Sequence, residues 1–555
     1  MAAIKASLTK KRRLLRFQVE VKPQDFMNLD SSHPYGVLPG GNRFLSEDSN
    51  VATNATHISP NDLLSDECLN HILGFCSGAD LGRMVQTCRY FYVAGHQPEH
   101  WRDLVLRRQG GTAIATTGPS WKDTFVQLFH AEKYKPHEPM PVRGVYSDYH
   151  YRLHSCRSFA IPSSWCSVES GSVESGSVDR VPVEDMTTDK FLEEYEKPNQ
   201  PVVIEGAALS WKAFEKWQDP DYCQQHTTGR SFRATSGAAA LSADFTLPAY
   251  HNYCKSTHLE EAPLYLFDRT ALEPGSHLWK DYMPDLQKSC PYWDVERQNE
   301  TGHDLFEVLG QGRRPDHTWL IVGPQRSGSV FHIDPNATHA WNAVICGRKR
   351  WIFYPPGVAP PGVHPSRDGD EVALPISVGE WLFQFWDEHT KRKKTAPPGQ
   401  VPLETTTMPG DVVFVPHGWW HLVVNLDELN IAITHNYVGI SNLANVLRFL
   451  DTKRDQVSGC RDRTESVKPE QLHAEFKDTM MHLHPDWLEE ASKEPDWTCN
   501  AWQSVSTVKG IKAKIPITGI MRKEAASKDN GANHQSSVMA KAKDRQESGF
   551  SFSFL

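Results

Sequence analysis

Residues 331–342 read "FHIDPNATHAWN". A histidine and an aspartate stand two apart between bulky apolar residues, and proline follows at once. In a β-strand successive side chains alternate faces. His332 and Asp334 are therefore expected on one face, with Phe331 and Ile333 on the other. Pro335 carries no backbone donor and turns the chain out of the strand. A carboxylate buried beside an imidazole needs a reason, because unpaired buried charge is costly. One reason is a His–Asp hydrogen bond in a core. The other is a metal.

A metal needs more donors than this pair. "FVPHGWWHLVVNL" (414–426) supplies a candidate in His421, which opens a strand after a tight Pro-Gly turn. Two histidines and one carboxylate on one face make the facial triad of non-haem Fe(II), with open positions for a bidentate co-substrate and O2. His417 is the rival ligand; it sits in the turn, so His421 is preferred. His339 and His435 read as local hydrogen-bonding or surface histidines.

A 2-oxoglutarate co-substrate would chelate iron through its 1-carboxylate and 2-keto group. Its far carboxylate then needs a cation and neutral donors deep in a barrel. Lys349 in "GRKRWIFY" (347–354) lies on the strand after the His-x-Asp hairpin, and Thr434 in "IAITHNY" (431–437) on the strand after His421. Both are expected on strands adjacent to the ligands. A charge-assisted hydrogen bond contributes roughly 1.5–3 kcal/mol, enough for one lysine and two donors to hold a dicarboxylate.

The 555 residues suggest two to four domains at about 150 each. A formal net charge of −9 argues against a chain built to grip phosphates, so direct sequence-specific nucleic-acid binding is not expected. No run approaches the roughly 18 apolar residues of a membrane span. The N-terminus lacks the apolar core of a secretory signal, and the eleven scattered cysteines suggest reduced thiols inside a cell.

Residues 1–57 are polar and turn-rich; Lys10–Arg13, "KKRR", reads as a nuclear-import signal or a solvated basic run. Residues 58–110 carry helical periodicity. Leu69, Ile72, Leu73 and Cys76 fit one face and Leu81, Met84, Val85 and Cys88 another, with Asp66 and Asp80 placed as N-caps. Residues 111–180 read as a linker, with the repeat "SVESGSVESGSVD" (167–179) a flexible insertion. Residues 181–445 are rich in short strands, 446–505 return to helices, and 506–555 read as a disordered tail ending in "FSFSFL". The predicted fold class is α+β: a double-stranded β-helix (jelly roll) with N-terminal and C-terminal helices.

Residues 58–110 resemble an F-box domain, with the motif carried by 58–95. Leu64, Asp66, Glu67, Leu69, Ile72 and Leu73 match its opening, and Asp80, Leu81, Cys88 and Phe91 its second half; Ser65 stands where that family usually has proline. This implies a Skp1-like adaptor bound through residues 63–92. The alternative is a helical hairpin packed on the next domain.

"GPQRSGSVFHIDPNATHAWNAVICGRKRWIFYPP" (323–356) and "PGDVVFVPHGWWHLVVNLDELNIAITHNYV" (409–438) resemble a JmjC domain of the arginine demethylase/lysyl hydroxylase subgroup. With the F-box-like segment in front, the chain is most similar to plant F-box JmjC proteins. The resemblance implies Fe(II) ligands His332, Asp334 and His421, and 2-oxoglutarate contacts Lys349, Thr434, Asn342, Ser329 and Tyr265. It also implies Asn436 and Trp420 as pocket-lining residues. The activity implied is a nuclear protein oxygenase acting on histone tails: an N-methyl arginine is hydroxylated and formaldehyde released. Lysyl hydroxylation is the alternative. A ubiquitin-ligase substrate receptor and a cupin-like barrel without redox chemistry are readings from other classes; Lys349 and Thr434 argue against the last.

Overall fold

Alternation along the strands organises the centre of the molecule. On "KRWIFY", Lys349, Trp351 and Phe353 face one way, and Ile352 and Tyr354 join a separate apolar cluster on the other. On "WHLVVN", His421 and Val423 point inward while Trp420, Leu422 and Val424 point out. Period-2 burial of this kind is what two facing sheets require. The computed structural model describes residues 21–26, 32–40, 64–109, 120–167, 176–236, 242–255, 260–289, 304–460 and 465–493, apart from positions 137, 367, 368 and 370. Lys10–Arg13, most of the SVESG repeat and the tail after residue 493 lie outside these residues.

Among the described residues the first strands are β1 (Asp179–Pro182), β2 (Val202–Glu205), β3 (Phe232–Thr235), β4 (Ser242–Phe245) and β5 (Tyr265–Asp268). Then come β6 (Thr318–Gly323), β7 (Gly328–His332), β8 (His339–Cys346) and β9 (Lys349–Tyr354). A two-residue pair, β10 (His364–Pro365) and β11 (Val372–Ala373), precedes β12 (Leu403–Thr407), β13 (Val412–Val415), β14 (Trp420–Asn425) and β15 (Asn430–Tyr437). One sheet has the order β12-β9-β14-β7, and the other β1-β2-β13-β8-β15-β6-β5-β3-β4. Strands β13-β8-β15-β6 face the smaller sheet and close a double-stranded β-helix, the jelly roll expected. Its interior is filled by Val203, Ala340, Val413 and Val415 against Trp351, Phe353 and Val423. Helix Val378–Thr395 covers the outside of the smaller sheet through Trp381, Leu382 and Trp386.

The N-terminal helices Asp66–Leu73, Gly78–Met84 and Arg89–Ala94 match the predicted helical stretch. Their caps differ from the expectation. Ser65 and Ser77 are the N-caps, and Asp80 sits three residues in, closing a capping box with Ser77. Each serine holds the extended backbone that an N-cap needs, and its short hydroxyl reaches the third amide. Leu69, Leu73 and Leu81 are buried as expected, but Ile72 and Phe75 are 48% and 76% exposed.

The stretch expected as a linker is structured over 120–167. Helices Trp121–Phe129 and Asp148–Arg157 lie there, and Trp121 and Trp165 are fully buried. Mixed polarity concealed this, because each element buries only a few large side chains. Leu73, Leu81, Trp101 and Trp121 share one apolar cluster with Trp341 and Ile433 on the outer face of the larger sheet. Glu260 stitches the same joint: Trp121 Nε1 donates to it at 3.1 Å, Tyr253 at 2.7 Å, and Arg102 pairs with it. Helices Leu443–Thr452, Pro469–Leu483 and Pro485–Lys493 form a further unit with its own core around Leu450, Leu472 and Phe476. Among the described residues no helix is long and apolar enough to cross a membrane.

Candidate active site

His332 ends β7, and Asp334 stands just past it as the residue before a 3-10 turn, Pro335–Ala337. The strand stops at His332, two residues short of Asp334, yet the two side chains still converge. His421 arrives from β14, whose Cα pairs directly with that of His332. Ligating atoms of His332, Asp334 and His421 all lie within 4.8 Å of one another. His417 does not join them. Its backbone N–H donates to His339 Nδ1 at 3.1 Å, and its ring stays in the turn. His339 and His435 point away from the barrel, toward Ser441 and Asp304 respectively.

Backbone carbonyls set the tautomers of the paired histidines. His332 Nδ1 lies 2.9 Å from the Val330 carbonyl, and His421 Nδ1 lies 3.1 Å from that of Trp419. A carbonyl only accepts, so each Nδ1 carries the proton and each Nε2 the lone pair. Burial lowers both imidazole pKa values to about 4, which keeps the rings neutral at pH 7. Burial also raises the Asp334 carboxyl, while the Asn436 amide opposes that rise. One Asp334 oxygen, Oδ2, is buried with no hydrogen-bond partner. Two neutral imidazoles and a carboxylate oxygen without a partner fit a divalent first-row metal, with Fe(II) the characteristic occupant of this donor set.

A cleft of about 910 Å³, counting its open mouth, runs from this cluster into the barrel. Lys349 closes the inner end. It is 1% exposed, and its ammonium donates to Tyr265 OH at 2.8 Å. Burial alone drops its pKa to about 7. Among the described residues no acid pairs with it, so the site suits an incoming carboxylate. β9 and β14 pair in register, His421 with Phe353 and Asn425 with Lys349. Four residues of strand separate the Cα of Lys349 from the level of His421 by about 13 Å, and the lysine side chain extends from there into the barrel.

Ser329, Asn342, Tyr265 and Thr434 all line the cleft, as does Asn436. Ser329 reaches it through a bulge. Between the pairs His421–His332 and Val423–Ser329, β7 carries one more residue than β14, so both Ser329 and His332 can face inward. Two expectations need correction. Thr434 is not on a strand beside a ligand strand: β15 pairs with β6 and β8, so it faces the cluster across the barrel. Its hydroxyl donates to the Trp341 carbonyl at 2.9 Å and presents only a lone pair inward. Trp420 does not line the cleft, because His421 faces in and its neighbour must face out.

Sequence reasoning missed Asn425, Trp351 and Ser458. Asn425 is fully buried, donates to Ser327 at 2.8 Å and contacts Tyr265 behind Lys349. Its position four residues after His421 could have disclosed it. Trp351, two residues from Lys349, carried the same signal and forms an apolar wall. Ser458 lines the cleft from the C-terminal unit, and no local pattern marks it. Gly323 matters through space: a Cβ there would sit 2.4 Å from the Tyr265 ring.

The model of the cupin-like domain family matches residues 188–442. The chain is 37% identical to the arginine-specific demethylase JMJ22 of Arabidopsis thaliana, over 84% of each chain. It is 32% identical to the bifunctional arginine demethylase and lysyl-hydroxylase psr-1 of Caenorhabditis elegans, over 48% of this chain and 62% of that one. It is also 37% identical to the human 2-oxoglutarate and iron-dependent oxygenase JMJD4, over 34% of this chain and 42% of that one. With its jelly roll, its converging His-Asp-His set and its buried lysine, the chain belongs to the JmjC family of cupin-like, iron- and 2-oxoglutarate-dependent oxygenases.

Proposed function

We propose that the protein demethylates arginine side chains of protein targets, histone tails among them, and that it acts in the nucleus. The observation that carries the chemistry is the two-ended cleft: His332, Asp334 and His421 at one end, and at the other Lys349, which has no acid partner among the described residues. Choice of arginine rests on likeness to JMJ22 across 84% of both chains. Lys10–Arg13 supports nuclear import.

Iron held by His332, Asp334 and His421 would supply oxidation of a C–H bond by O2, coupled to decarboxylation of 2-oxoglutarate to succinate. The chain's residues do the rest. Lys349 and Tyr265 bind the far carboxylate, with Ser329, Asn342 and Thr434 lining the way. A carboxylate beside Lys349 raises its pKa again and holds the proton on Nζ. Trp351, Val415 and Val423 give the cleft its apolar walls. When that carbon is an N-methyl group, the hydroxylated product loses formaldehyde and the arginine is demethylated.

The test incubates the full chain with Fe(II), 2-oxoglutarate and a methyl-arginine peptide. Succinate and formaldehyde should appear one for one, and the peptide should lose a methyl mass. Gain of an oxygen atom on a lysine peptide instead would replace demethylation by lysyl hydroxylation, the second activity in the name of psr-1. No succinate under any condition would sink the oxygenase reading.

A second role has its own observation. Leu64, Ile72 and Phe75 stay exposed on and just beside the first F-box-like helix, Asp66–Leu73, at 41%, 48% and 76%. We propose that residues 63–92 seat a Skp1-like adaptor there, which would make the enzyme a substrate receptor of a ubiquitin ligase as well.

A further inference from the structure

We propose that the loop Val457–Cys460 of the C-terminal unit is the target-side wall of the active site, and that Ser458 contacts the bound target side chain. This rests on the oxygenase reading above and adds a substrate contact from outside the cupin-like domain, whose match ends at residue 442.

The register of β9 and β14 gives the cleft its direction. Lys349 occupies the inner end, where the co-substrate carboxylate belongs, so a protein target must come from the other side of the His332–Asp334–His421 cluster. Ser458 lines the cleft together with Pro335 and Asn436, and its backbone bonds to Asn336, which ties it to the Asp334 end of the cleft rather than to the Lys349 end. It is only half-buried, and it belongs to no strand of the barrel.

The loop is built into place. Asn336 stands two residues after Asp334 and is 4% exposed. Its amide nitrogen donates to the Ser458 carbonyl at 3.1 Å, and its amide oxygen accepts from the Ser458 N–H at 3.0 Å. This two-way clamp fixes the Ser458 backbone to the turn that carries Asp334. Asn336 and Ala337 hold φ of 58° and 55° to make that turn. Residues other than glycine seldom adopt such φ unless their surroundings enforce it. On the far side of Ser458, Gly459 has φ +81°, and its carbonyl accepts from Asp316 N at 3.1 Å. Val457 and Cys460 are buried in the C-terminal core on either flank. A loop held at four points, with one hydroxyl residue facing the cleft, is a rigid platform of the kind specificity needs.

The test uses the full chain with manganese(II) and a non-reacting 2-oxoglutarate analogue. The probe is a short arginine-rich peptide with one dimethylated arginine, read by fluorescence anisotropy. Ser458→Tyr should weaken peptide binding about ten-fold by obstructing that side of the cleft. Ser458→Ala, which adds no bulk, should weaken it by about three-fold through the lost hydroxyl contact. In turnover, the peptide KM should rise while the KM for 2-oxoglutarate moves by less than about two-fold, because Lys349 is remote. Peptide affinity within about two-fold of the parent for both folded, metal-loaded variants would overturn the proposal. An equal rise in both KM values would also overturn it, since the loop would then support the whole cleft rather than the target side. Should Ser458→Tyr fail to fold, Ser458→Ala decides alone. A parent chain that forms no succinate would remove the oxygenase reading, and this inference with it.

Discussion

Lys349 is the residue on which co-substrate recognition turns. A lysine 1% exposed with a pKa near 7 is unfavourable in isolation, and only a negative ligand offsets its desolvation. Lys349→Met should therefore leave manganese(II) binding intact, since no proposed ligand is touched. It should raise the 2-oxoglutarate requirement by two to three and a half powers of ten, from about 3–5 kcal/mol for breaking a buried pair at about 1.4 kcal/mol per ten-fold. The proton adds a pH signature. Above a pKa of about 7 the ligand-free lysine loses its charge and must regain a proton to bind the carboxylate. Affinity for 2-oxoglutarate should then fall by up to about ten-fold per pH unit above that point. Calorimetry with manganese(II) in place of iron, from pH 6.5 to 8.5, checks both. An unchanged affinity in Lys349→Met would place the carboxylate elsewhere.

Elements decide which apolar side chains remain at the surface. Leu69, Leu73 and Ile72 all fit a helical period, but Leu69 and Leu73 enter the core while Ile72 sits at the margin and faces out. Leu81, at 0% exposure, is equally a core residue and a poor probe of any interface. The informative variants are Ile72→Asp and Phe75→Asp together. They should abolish capture of a Skp1-like protein and shift the melting temperature little, because surface changes away from packing features cost within about 0.5 kcal/mol. Pull-down alongside a melting curve measures both. Retained capture by the folded double variant counts against the F-box-like role.

For the whole molecule, buried neutral histidines set acid tolerance. Burial lowers His33 and His150 to about 3, and His100 and His251 to about 4. Their unfolded value is near 6.5. A group depressed in the folded state binds more protons when unfolded, so stability falls as pH drops below about 6.5. The loss continues down to the folded pKa, at up to about 1.4 kcal/mol per pH unit for each group. The denaturant midpoint at pH 5 should lie clearly below that at pH 7.5, with no change in slope. Equal midpoints would mean that these rings protonate in the folded state without cost.

The clearest barrel strands, the helices of 66–94 and 443–493 and the ligand residues could be read in advance because each rests on a local period, whereas the helices Trp121–Phe129 and Asp148–Arg157 could not. His332 and Asp334 two apart, His421 at a strand start, and alternating "KRWIFY" and "HLVVNL" follow from a pleat that repeats every two residues. Fe(II) and 2-oxoglutarate followed from residue types that have little other reason to be buried together. What only the tertiary structure decided lies between distant segments. The β7 bulge turned Ser329 inward, the pairing of β15 with β6 and β8 put Thr434 across the barrel, and His417 was separated from His421 by its bond to His339. Asn336 clamps Ser458 across more than a hundred residues, and Arg102 meets Glu260 across more than 150. Such contacts leave no periodic trace, because they depend on which surfaces meet once each element has already buried its own apolar face.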